Sequence, residues 1–125
     1  GRIPHFFTII KQHGALLAKG RIAGIQFGEL FTDRLYLRIG KPAMEAAEQI
    51  KDALKKYGYQ LSLDTPTNQI FCIVSNEVMK KIAQDVEFGF WEKYDETHSV
   101  IRFATSWATT MEDTQKLIQI LEKNK

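Results

Sequence analysis

The apolar positions of this chain change their period at Gly58. Before it they recur every three or four residues; after it they alternate. Ile39, Ala43, Ala46 or Ala47, Ile50, Leu54 and Tyr57 fall on one helical face, which predicts an amphipathic helix stopped by Gly58. Lys41 with Glu45 and Asp52 with Lys56 stand four apart on its wet face. Pro42 removes a backbone donor and predicts a kink at residues 40–42. Further upstream, Pro4 suits the first turn of a helix running to about His13, where Gly14 interrupts it. A second helical stretch covers about 15–31. It is weakened by Gly20, Gly24 and Gly28, whose spacing lines one face and predicts close packing against another element or a partner subunit.

Beyond Gly58, YQLSLD reads as a strand, TPTN as a turn and QIFCIVS as a second, more buried strand, together an antiparallel hairpin. Asn76 is placed to cap a short helix through Gln84. VEFGFWEKY is a third strand with Val86, Phe88 and Phe90 on one face, and SVIRFATSW is a fourth. Thr109 followed by Glu112 predicts a capping box opening a last helix, with Leu117, Ile118 and Leu121 turned inward. The fold class is α+β: N-terminal connecting helices at about 3–57, then at about 59–123 a small antiparallel sheet of about four strands covered by helices mainly on one side.

Composition narrows the function classes. A length of 125 residues suits a single domain or fragment, and 44% apolar residues suffice for one core. A net charge of +2, with both signs mixed along the chain, offers no nucleic-acid tract. No apolar run is long enough for a membrane span, and no signal peptide is visible. Cys72, the one cysteine, excludes an intrachain disulfide and fits a reducing, cytoplasmic setting. The sequence opens on Gly1 rather than Met, as expected of a trimmed product or a piece of something longer.

One residue breaks the pattern. In VIRFA, Ile101 and Phe103 share the core face, while Val100, Arg102 and Ala104 share the other. An arginine keeps its proton, so a covered Arg102 needs an anion, and its forked donors match a small carboxylate. A solvated strand face, or an ion pair with an internal Asp or Glu, would serve equally. The remaining candidates are ordinary. His13 and His98 lack metal-ligand spacing, so no metal site is expected. Cys72 reads as a small core residue, and Trp91 and Trp107 as core or interface anchors. No phosphate loop or nucleophile triad can be assembled.

The segments KQHGALLAKGRIAGIQF, LFTDRLYLRIGK, DTPTNQIF and FWEKYDETHSVIRFATSWATT, with the closing helix, resemble the C-terminal part of bacterial threonine aldolases. These belong to the β-eliminating lyases, pyridoxal-phosphate enzymes with the aspartate-aminotransferase type of fold. The resemblance spans essentially the whole chain and is most specific in its last third. It implies a small α+β C-terminal domain whose parent cleaves L-threonine or L-allo-threonine to glycine and acetaldehyde, with β-elimination or transamination as related chemistries. Arg102 would then grip the substrate α-carboxylate. Arg21, in RIAG, would reach the cofactor phosphate of a neighbouring subunit, with Lys19 a solvated neighbour. The Schiff-base lysine, the histidine that stacks on the ring and the aspartate at the pyridine nitrogen would precede this chain, and neither Lys11 nor Lys19 stands in that lysine's context.

The implied cofactor is pyridoxal phosphate in the full enzyme, with none bound covalently here, and this chain alone is expected to be inactive. The implied partners are an amino-acid substrate, the missing large domain and further copies in a homo-oligomer, with neither nucleic acid nor membrane. Loss of the large domain would leave Phe6, Phe7, Ile9, Ile10, Leu16 and Leu17 exposed and prone to self-association. A reading from another class is a non-catalytic α+β module that binds a small carboxylate or a protein partner.

Overall fold

The structure is a computed structural model that describes residues 3–125. Gly1, on which the reading of the chain's start rests, lies outside the described residues. Two compact units divide between Tyr36 and Leu37.

In the first unit, α1 (Phe6–Gln12) starts after His5, whose φ of 56° is left-handed. Gly14, at φ 63°, ends this helical region. The second helix is shorter than its pattern suggested. Residues 15–20 are not helical, and α2 spans Arg21–Phe31 with Gly20 as its N-cap. Only Gly24 and Gly28 therefore lie within it, and a Cβ added at either would meet nothing within 4 Å. The predicted close packing along the glycine face is not made within this unit. Phe27, Phe31 and Tyr36 form a small aromatic ladder, with centroids 4.6 and 5.3 Å apart. Of the six apolar residues expected to be exposed, Phe6, Phe7, Ile9, Leu16 and Leu17 are, while Ile10 is half-buried.

The expected kink at Pro42 is a break between two helices. α3 (Leu35–Ile39) ends before Gly40, the N-cap of α4 (Lys41–Lys56). Pro42 sits in the first turn of α4, where its missing N–H costs nothing. Gly58, at φ 86°, closes α4: its own N–H bonds Lys55 O and that of Tyr59 bonds Leu54 O. This is the paired closure that a left-handed residue after a helix permits. Lys41 pairs with Glu45 at 3.7 Å. Asp52 and Lys56 do not pair; Lys56 lies over the Tyr57 ring instead.

The sheet consists of β1 (Gln60–Leu63), β2 (Gln69–Ser75), β3 (Gly89–Lys93) and β4 (His98–Ala104), in the antiparallel order β1-β2-β4-β3. α5 (Asn76–Ile82) follows β2, and α6 (Met111–Lys123) follows β4. Three details differ from expectation. Ser75, not Asn76, caps α5 by accepting from Val78 N–H; Asn76 bonds Glu96 O and Ser99 instead. The third strand begins at Gly89, because Asp85 and Val86 spend their N–H groups on Ile82 O at the end of α5. Val86 and Phe88 still pack on the core, whereas Phe90, opposite Ile101 on the edge strand, is 61% exposed. The capping box of α6 is Thr110 with Asp113, one residue later than read. Thr109 instead accepts from Ser106 N–H in the preceding turn.

The core lies on one face of the sheet. Ile70, Cys72, Val74, Ile101 and Phe103 meet Ala47, Ile50 and Leu54 of α4, Ile82 of α5 and Leu121 of α6. Leu117 packs against this cluster, and Ile118 is half-buried. The Tyr59 hydroxyl donates to Leu121 O at 3.0 Å and ties the start of the sheet to the end of α6. Among the described residues no helix is long and apolar enough to cross a membrane.

Candidate functional site

Arg102 sits on the face of β4 opposite the core, half-buried. Its Cα partners are Phe71 on β2 and Gly89 on β3. On the β2 side the partner is Phe71, whose ring packs against Trp91. On the β3 side there is no side chain, and the guanidinium lies there. A Cβ built on Gly89 would stand 3.2 Å from Arg102 Nε and 3.3 Å from Nη2. Trp91 borders the same place, with the guanidinium carbon 5.7 Å from its ring centroid, within cation–π range. The Trp91 ring is itself held edge-on by Phe71, at 5.0 Å and 71°. Arg102 Nη1 donates to Gln69 Oε1 at 3.4 Å. Trp91 falls at an irregularity of β3, where Phe90 pairs with Ile101 but Glu92 with Val100. The extra residue is a β-bulge, a device that re-aims side chains at sheet edges.

Among the described residues no carboxylate lies within ion-pair distance of Arg102. Of the readings open in the sequence, the internal ion pair is thus not the one realised. The guanidinium is also not loose in water, since an aromatic ring and a neutral amide flank it. Four of its five N–H groups have no protein acceptor among the described residues. Such a group has both the charge and the free fork geometry for a carboxylate.

Arg21 belongs to the other compact unit. It is exposed, at the first position of α2. Its N-cap, Gly20, offers no side chain to the first N–H groups of that helix. A guanidinium beside uncapped helical N–H groups suits a phosphate.

Two concavities of the second unit exclude Arg102. The larger, about 780 Å³, runs beside α6 and the end of β4. Asp85, Glu87 and Asp113 line it with Lys116 and Lys123. Three carboxylates against two lysines make it a poor seat for an anion, so the chemistry favours Arg102 despite the groove's size. The smaller, about 470 Å³, is bordered by Met44 and Trp107.

Other titratable groups have structural duties. Burial pushes the Cys72 thiol up to about 12, so it is inert at neutral pH. Asp95 accepts from the Thr97 and His98 N–H groups, from the Thr97 hydroxyl and from His98 Nδ1. The Thr97 N–H leads in holding its carboxyl down at about 2. His98 is thereby engaged in a turn between β3 and β4. Lys51 was not foreseen at all. It is 3% exposed and donates to Thr65 O at 2.6 Å and to Glu48 at 2.9 Å. Its sequence position between Ile50 and Asp52 gives no hint of burial. Among the described residues no group of three His, Cys, Asp or Glu could hold a metal ion.

A four-stranded antiparallel sheet with its helices packed on one face, and a single arginine cradled on the other, defines a small α+β domain built to present that arginine. The solved structures that share this fold include a threonine aldolase. The chain is similar to Leishmania major threonine aldolase at 30% identity and a TM-score of 0.88, over 97% of its own length and 35% of the aldolase's. The resemblance seen in the sequence therefore holds for the fold. Sphingomonas wittichii serine palmitoyltransferase shares the fold more distantly, at 11% identity and a TM-score of 0.55, over 66% of this chain and 23% of that one. No family model and no curated protein matches the chain. It spans about a third of the length of the aldolase it matches.

Proposed function

We propose that this chain is the C-terminal part of a pyridoxal-phosphate-dependent lyase, a threonine aldolase that splits L-threonine or L-allo-threonine into glycine and acetaldehyde. In this reading Arg102 binds the substrate α-carboxylate and fixes how the amino acid lies. The bound cofactor supplies an electron sink for the bond that breaks. Holding the carboxylate would fix how the amino acid presents that bond, so the contribution of Arg102 is orientation as much as affinity. Arg21 reaches the cofactor phosphate, from the neighbouring subunit of a homo-oligomer. The catalytic lysine and the large domain lie in the part of the aldolase that this chain does not span, and the chain alone is inactive.

The observation that carries this reading is the cradled guanidinium, with no carboxylate paired to it among the described residues, in a chain that shares its fold with a threonine aldolase over 97% of its length. The test is kinetic. In the intact enzyme, Arg102→Ala should raise KM for the amino acid steeply or abolish turnover, and Arg21→Ala should weaken retention of pyridoxal phosphate. Near-normal kinetics in Arg102→Ala would refute the assignment.

A further inference from the structure

Gly89 opens the edge strand β3, where a glycine packs no side chain and loses more backbone freedom on folding than another residue would. Gly89 therefore needs a reason. Backbone geometry is not the reason, since the glycines with positive φ are Gly14 and Gly58. Space is. At Gly14, Gly20, Gly24, Gly28, Gly40 and Gly58 an added Cβ would meet nothing within 4 Å. At Gly89 the nearest atoms it would meet are those of the Arg102 guanidinium, Nε at 3.2 Å, Nη2 at 3.3 Å and Cζ at 3.6 Å.

We infer that Gly89 and Trp91 are positioning residues for Arg102, the bare backbone of Gly89 forming the floor on which the guanidinium rests and the Trp91 ring the wall against it. The inference rests on the reading of Arg102 as the carboxylate anchor and adds what sets its pose. An arginine has several rotatable bonds and would lose much freedom on binding. Here that freedom is already restricted. The missing side chain at position 89 opens the β3 side, Trp91 attracts the cation, and Gln69 Oε1 takes one N–H. The other N–H groups keep a set direction, which is what a directional, two-pronged bond to a carboxylate requires.

The magnitude follows from contact distances. An alanine Cβ at position 89 would have to open from 3.2 Å to ordinary carbon contact at about 3.5–4.0 Å, displacing the guanidinium by a few tenths of an ångström or more. A misplacement of ~1 Å costs ~100-fold in rate, so this one should cost about tenfold.

The experiment uses two readouts. In this chain, the Arg102 Nε–H resonance should be shifted by the Trp91 ring current, and Gly89→Ala or Trp91→Leu should move it towards its free-arginine value, while Trp91→Phe retains part of the shift. Thermal stability of Gly89→Ala should be unchanged or higher, since a strand glycine is removed, which separates repositioning from misfolding. In the intact enzyme, Gly89→Ala should lower kcat/KM about tenfold, with part of the loss in a raised KM. Trp91→Leu should lower kcat/KM in the same way, and Trp91→Phe should rescue it. An unmoved Nε resonance in both Gly89→Ala and Trp91→Leu, or unchanged kcat/KM in both, overturns the inference. If Arg102→Ala leaves KM unchanged, the anchor itself is wrong. If Arg102→Ala is crippled while Gly89→Ala and Trp91→Leu behave as wild type, only the positioning role fails.

Discussion

Lys51→Met is the sharpest test of the packing between α4 and the β1–β2 turn. Lys51 is almost wholly buried, and its ammonium donates to Thr65 O and to Glu48. Methionine keeps most of the stem and its apolar contacts but removes the donor. The half-buried Thr65 then loses a charge-assisted hydrogen bond to its carbonyl, a loss of ~1–3 kcal/mol. The Glu48 side chain is 61% exposed, so that ion pair adds little. The destabilisation should therefore be ~1–3 kcal/mol, which lowers Tm by roughly 5–20 °C in a unit of this size. Urea and thermal unfolding followed by circular dichroism would measure it, with Glu48→Gln as the control expected to lose less than about 0.5 kcal/mol. If Lys51→Met is neutral, or if Glu48→Gln is equally costly, the bond to Thr65 is not what holds the turn.

Two further outcomes follow from the titratable groups. The Asp95 carboxyl sits at about 2 when folded, below its usual 3.8, held down chiefly by the Thr97 N–H. Its depressed value means that its stabilisation is present above about pH 4 and is lost as pH falls towards 2. Acid titration of Tm should accordingly be flatter between pH 4 and 2 in Asp95→Asn than in wild type; parallel curves would refute the role of Asp95. Cys72 should resist thiol reagents at neutral pH in the folded chain and react only on unfolding, because burial pushes its thiol up to about 12. Fast labelling in native buffer would contradict its placement in the core.

Much of this fold was legible because strong periodicity leaves few choices. α4, β2 and β4 follow from it directly, and the parity of VIRFA puts Arg102 on the face away from Ile101 and Phe103. Several of the misses share one physical cause: neighbouring residues could each do the job, and three-dimensional contacts decided. Thr109 and Thr110 both carry hydroxyls, and Glu112 and Asp113 both carry carboxylates, so the cap could fall on either pair. Ser75 and Asn76 can both cap a helix. Val86 and Phe88 alternate like a strand, yet α5 claims the N–H of Val86 first. The cradle of Arg102 was unreadable for a related reason. Gly89 and Trp91 reach Arg102 only through the β3–β4 register and its bulge, neither of which leaves a local signal. Arg21 and the glycines of α2 were conspicuous in sequence, but among the described residues a Cβ added at either glycine would meet nothing within 4 Å.

The central claim is that Arg102 recognises the carboxylate of an amino acid, and discrimination between an amino acid and its carboxylate-free amine measures this most directly. In the intact enzyme, inhibition constants for glycine and for methylamine should differ strongly in the wild type. Arg102→Ala should reduce that difference by about 100-fold, as expected when one member of a desolvated charge pair is removed. An unchanged ratio of the two constants in Arg102→Ala would contradict the account.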